Sequence, residues 1–191
     1  MKLQFVATSA LILGASAHAQ IVVDGTADSS YGNAIVTQTI GSSFGNASDG
    51  QKGMCNGSEL DAAYAKVDVA GGFLYLVLAG NMETNWNKLE VFIDCKAGAG
   101  QNMLRSDNAD VDFNGLNRMG ADAVNALPGL KFDTGFGADF YFGCTIGNVG
   151  GTVYQMHAVQ AVLATNGGGA GGYVGGSSTD PTTGVILIND P

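Results

Sequence analysis

The residues best suited to chemistry in this chain are oxygen donors on alternate positions. Asp110 to Gly115 read Asp-Val-Asp-Phe-Asn-Gly. Asp110, Asp112 and Asn114 could converge on one ion, and a glycine at the sixth position permits the sharp turn of a calcium loop. Arg118 stands at the ninth position and Ala121 at the twelfth, with the acid Asp122 one residue late. Two readings stay open: a calcium site, or a solvated acidic loop that caps a helical turn. Calcium is the one cofactor the sequence points to.

A second chemistry is stacking. Trp86 is the single tryptophan and lies between Asn85 and Asn87. An aromatic face flanked by amides suits a sugar ring, whose C–H face stacks while its hydroxyls hydrogen-bond. Tyr75 or Tyr141 would supply a further ring. The competing reading folds Trp86 over its own hairpin. His157 is the only histidine after His18, so a catalytic triad or a haem ligand would have to use it. It shares an alternating face with Val153, Gln155 and Val159, without an acid or nucleophile in local reach, and reads as structural or exposed.

Other catalytic signatures are missing. Glu59, Glu83 and Glu90 lie in unrelated contexts and form no glycosidase pair. No P-loop or dinucleotide fingerprint occurs, and no CxxC or HxxxH spacing suggests zinc. The expectation is a protein that is not an enzyme.

Export is the clearest feature. Met1-Lys2 gives a positive start, Val6 to Gly14 an apolar stretch, and Ala17-His18-Ala19 a small-x-small cleavage site. A stretch of that length is too short to span the ~30 Å hydrocarbon core of a bilayer. Residues 1–19 therefore read as a signal peptide and 20–191 as one secreted domain, extracellular or at the cell surface. No membrane insertion is expected after cleavage. A net charge of −9 argues against nucleic acid as a partner, which needs a basic footprint.

Oxidising surroundings make the three cysteines, Cys55, Cys95 and Cys144, candidates for one bridge. Cys95 and Cys144 fall on the parity of the apolar residues of their strands and are the preferred pair. Cys55 would be a free thiol or a link to another chain.

The elements that must position these residues are strands. Thirty glycines against three prolines, with charged residues at 13%, suit an all-β protein with long loops. Phe73 to Ala79 is apolar on both faces, as a central strand requires. It should form a hairpin with Lys88 to Cys95, through a turn at Gly80 to Asn87. Leu89, Val91 and Ile93 would face inward, as would Phe140, Phe142, Cys144 and Ile146 in the strand from Ala138. Further strands are expected at Ile21–Val23, Ala34–Ile40, Glu59–Val69, Thr152–Leu163 and Gly184–Ile188. Phe113–Met119 suggests a short helical turn, and Asn166–Gly176 a flexible glycine loop. The fold class is an antiparallel β-sandwich or jelly roll. Ending at Pro191 on an apolar strand, the chain reads either as complete or as cut short.

Val23-Asp24-Gly25 followed by Asp28 and Tyr31-Gly32 resembles the opening of domains related to family 9 carbohydrate-binding modules. Leu74-Tyr75-Leu76 with Val91-Phe92-Ile93-Asp94 resembles a later strand pair of the same group. The resemblance covers Val23 to Asp94. It implies a secreted β-sandwich, often with structural calcium and a sugar-binding face; a related branch binds haem. Asn108 to Gly120 is similar to uncharacterised secreted bacterial proteins, some with a Pro-Glu-Pro sorting tag that this sequence lacks. The expected function is non-catalytic extracellular recognition or an envelope or matrix role, with polysaccharide or other envelope proteins as partners. A secreted glycan-active enzyme and a haem-binding carrier are the alternatives.

Overall fold

The structure, a computed structural model, describes residues 21–40, 57–113, 115–121, 128–150, 153–179 and 186–189. Eight strands and one short helix lie among them: β1 (Val36–Thr37), β2 (Glu59–Asp68), β3 (Phe73–Asn81), β4 (Asn85–Ile93), α1 (Gly115–Arg118), β5 (Phe140–Gly150), β6 (Val153–Val162), β7 (Gly171–Thr179) and β8 (Ile186–Asn189). The class is all-β. One sheet has the order β1-β2-β3 and a second the order β4-β5-β6-β7-β8; every pairing with a defined register is antiparallel. The described residues fall into two compact units, one holding 21–37 and 62–79 and the other the remainder.

In the smaller unit, β2 turns into β3 at Asp68. Its carboxylate accepts from the Gly71 amide and its carbonyl from the Gly72 amide, 2.9 and 2.8 Å. Gly72 adopts φ 73°, a left-handed conformation that suits glycine. Leu74, half exposed, and Phe73, at 59%, belong to an edge strand. The expected central hairpin is thus corrected. β3 pairs with β2, and the chain changes sheets between Asn81 and Asn85. Two apolar faces satisfy a buried strand, but they do not supply its cover.

The larger unit carries the hydrophobic core. Tyr141 of β5 and Val159 and Ala161 of β6 are buried, and Leu104, Val111, Leu116, Ala138 and Leu163 pack with them. Cross-strand register puts Phe92, Tyr141 and Ala161 side by side, on one face because directly opposed residues share a face. Phe92 touches Tyr141 at 5.5 Å and Phe132 at 5.0 Å between ring centroids.

That parity reverses the expected one. Phe140, Cys144 and Ile146 are half-buried and Phe142 is exposed, while Tyr141, Gly143, Thr145 and Gly147 are buried. The cover comes from the described residues between 99 and 139, mostly irregular backbone that builds its own order from amides. Gln101 and Asn108, both buried, exchange side-chain hydrogen bonds at 2.6 and 3.3 Å. Gln101 also donates to the Ala164 carbonyl, and Asn108 to that of Arg105. The Asn117 side chain pairs with both backbone groups of Asn108. Such a network fixes a loop because each buried polar group it satisfies would otherwise cost about 1–3 kcal/mol.

Two further expectations change. Residues 171–179 form β7 rather than glycine loop, paired with both β6 and β8; ladder hydrogen bonds need no side chains, so composition hid the strand. Cys95 and Cys144 are free thiols, exposed and half-buried. Cys144 lies opposite Leu89. Cys95 is six residues beyond, about 20 Å at strand rise, whereas a disulfide needs Cα atoms within about 7 Å. Cys55 lies outside the described residues. The helical turn expected near Phe113–Met119 is α1, and Glu59–Asp68 is a strand, as its alternation implied.

Candidate functional site

The core covers only part of the inner face of β4–β7. Toward the Trp86 end the face opens into a cleft of about 820 Å3, bounded by Trp86, Lys88, Thr145, His157 and Tyr173 on the strands. Asp110, Val111, Asp112 and Phe113 form its opposing wall. The volume lies in the range of small-molecule sites, roughly 300–1,000 Å3.

Trp86 is presented by a bulge. Asn85 pairs with Gly147 and Lys88 with Thr145, so β4 carries one residue more than β5 across this interval. Trp86 takes φ 69°, a left-handed conformation unusual for a bulky residue and common at functional sites. Asn85 braces the bulge: its side-chain oxygen accepts from the Asn87 amide at 3.1 Å, and its nitrogen donates to Glu83 at 2.8 Å. Asn87 donates to Ser58 at 3.0 Å, and its carbonyl accepts from the Thr145 hydroxyl at 2.9 Å. Both amides expected to meet a ligand are thus engaged in holding the ring.

The indole lies face-down on Gly147. A β-carbon built there would meet Cδ2 and Cε2, the shared bond inside the ring system, which can be approached so closely only through its face. Any residue but glycine at 147 would lift the ring. The residue is 46% exposed. His157 lies beside it, its ring 16° from parallel with the indole and 6.3 Å away between centroids. Tyr173 tilts at 52° to His157, 6.0 Å away, with its hydroxyl 3.4 Å from Nδ1. Together the three rings form an aromatic cluster lining the cleft. Phe113 at the rim is almost wholly exposed, and it and Asp112 both have left-handed φ, 50° and 55°.

Charge in the cleft is concentrated at one end. The Lys88 ammonium pairs with the Asp112 carboxylate, tying the wall to β4. Deeper along β4, burial pushes the Glu90 carboxyl above its ordinary range, partly opposed by Tyr141 and Lys88. Burial, with Glu90 beside it, pushes the Tyr141 phenol far up. Glu90 Oε2 and the Tyr141 hydroxyl are buried without a hydrogen bond of good geometry. This pair marks the boundary between the covered core and the open cleft.

The expected site residues therefore separate. Trp86, Asp110 and Asp112 meet in the cleft. Tyr141 is 1% exposed, so its ring has no face left for a ligand. Tyr75 belongs to the smaller unit, packed against Phe73 at 6.0 Å. Asn114 and Asp122 lie outside the described residues, among which no group of three or more His, Cys, Asp or Glu side chains could hold a metal ion. His157, Tyr173 and Lys88 were not foreseen as site residues. Only the β4–β5–β6–β7 register brings them beside Trp86, although the alternation Gln155-His157-Val159 was visible in the sequence and all three line the cleft. No protein-family model matches the chain, and no curated protein or solved structure does.

Proposed function

We propose that the protein is a secreted, non-catalytic recognition protein whose cleft binds a carbohydrate on the Trp86–His157–Tyr173 surface. The observation that carries this reading is the indole of Trp86, laid flat on Gly147, part exposed and lining the cleft. A pyranose presents an apolar C–H face to such a ring, and its hydroxyls demand polar groups at the edge. Lys88, Asp110, Asp112 and Gln155 stand there. Backbone strain at Trp86 and Asp112 fits the reading, because strained residues persist where surrounding structure holds them for a task. The signal-peptide pattern of residues 1–19 and the resemblance of Val23–Asp94 to domains related to family 9 carbohydrate-binding modules are in keeping with an extracellular recognition role.

The test is a glycan array and polysaccharide pull-down with the wild type and Trp86→Ala. Saturable binding of a glycan by the wild type, lost in the variant while the β-sheet circular dichroism persists, supports the reading. Equal binding by both proteins, or binding of no glycan, refutes it. The envelope or matrix role has its own support in the apolar surface of the smaller unit.

A further inference from the structure

Two strands border the sheets in contrasting ways. β4 is the outer strand of the five-stranded sheet and is guarded: it carries Lys88 and Glu90 and is interrupted by the bulge at Trp86. Charges and bulges on edge strands keep other strands from pairing with them. β3 is an outer strand of the three-stranded sheet and lacks such charges. Its nine residues, Phe-Leu-Tyr-Leu-Val-Leu-Ala-Gly-Asn, hold no charge and no proline. Phe73, Leu74 and Leu76 are 59%, 50% and 39% exposed. An edge of this length with apolar side chains on both faces is a template for another strand.

We propose that β3 pairs with β3 of a second copy of this chain, antiparallel about a twofold axis, to join two three-stranded sheets into one of six. The strand meets its own requirements. In antiparallel pairing about a central residue, positions of equal parity face each other. An axis at Leu76 then sets Leu74 against Leu78 and Leu76 against itself, and an axis at Tyr75 sets Leu74 against Leu76 and Leu78 against Gly72. On the other face the Tyr75 axis sets Phe73 against Val77 and Tyr75 against itself, and the Leu76 axis sets Phe73 against Ala79 and Tyr75 against Val77. Neither arrangement brings a charge into the junction. The pairing is isologous and closes at two copies, as in most soluble homo-oligomers. A foreign strand would need the same uncharged, doubly apolar character, which the second copy already has. Net charge −9 on each copy opposes association without entering the junction, so added salt tightens the dimer by screening.

The experiment is sedimentation velocity of the purified protein over a concentration series reaching about 100 µM, a range that reports even a weak dimer. It is repeated with Leu76→Lys and Phe73→Lys, two substitutions at exposed positions. The wild type is expected to dimerise with rising concentration, and each variant to weaken the dimer by about tenfold or more with unchanged circular dichroism. Amide hydrogen exchange on the wild type makes the test independent of any variant: protection in Phe73–Ala79 should rise with concentration. A wild type that stays monomeric throughout overturns the proposal. So does a dimer that both lysines leave intact, or one that forms without added protection in β3.

Discussion

The two units start from similar material and end differently. β3 of the smaller unit and β5 of the larger are both long and rich in apolar residues, yet Leu74 is half exposed whereas Tyr141 is sealed. What separates them is the segment that follows β4. The described residues between 99 and 139 add Leu104, Val111 and Leu116 to one face of the larger sheet and hold them there through Gln101, Asn108 and Asn117. Among the described residues of the smaller unit, Tyr31 is the one buried hydrophobic side chain. Sheet patterning creates a surface able to pack. A core forms only where other chain covers that surface, and a cleft remains where the cover stops.

The comparison can be broken by mutation. The largest effect is expected at Leu104, which has no exposed surface. Leu104→Ala should cost about 2–5 kcal/mol in chemical denaturation. Leu74→Ala, in the smaller unit, should cost under about 1 kcal/mol at dilute concentration. Equal costs would erase the distinction between the units. Next comes the amide network: Asn108→Ala leaves Gln101 partly unpaired and should cost about 1–3 kcal/mol, with faster amide exchange across residues 101–121.

A smaller, local effect is expected at the open end. Gly147→Ala thrusts a β-carbon into the indole, at about 1–3 kcal/mol for the overpacking. The displaced ring should emit at longer wavelength as water reaches it. The smallest effect is expected at the boundary. Because burial raises the Glu90 carboxyl in the folded state, folding favours its protonated form. The Glu90 contribution should therefore improve as pH falls through the raised folded value and level off below the unfolded one. Glu90→Gln should melt higher than the wild type at neutral pH, and that difference should shrink in acid. A difference independent of pH would mean that Glu90 is not titrating in a buried setting.

Much of this architecture could be read from the residues themselves. Alternation marked β2, β5 and β6, and Phe113–Met119 carried the helical turn. Pairing was less legible. Phe73–Ala79 looked central because both its faces are apolar, and nothing local to a strand reveals whether a neighbour exists. The parity of β5 was misread for a related reason: Phe140, Phe142 and Ile146 form the more apolar row. The buried row is Tyr141, Gly143, Thr145 and Gly147, where glycines give way to large neighbours. Gly143 admits the Tyr141 ring, and Gly147 admits the indole. Glycine also hid β7, and with it Tyr173. The site was legible only at Trp86 and at the acids of the 110–112 stretch. His157 and Lys88 join them through a register that depends on the bulge.

Because Trp86 is the only tryptophan, its emission reports on the cleft alone. Titrating the unmodified protein with neutral and acidic oligosaccharides should give, for at least one, a saturable blue shift as a sugar ring replaces water on the exposed indole face. Emission unchanged by a glycan that demonstrably binds would contradict the account, because the sugar would then be held elsewhere on the molecule.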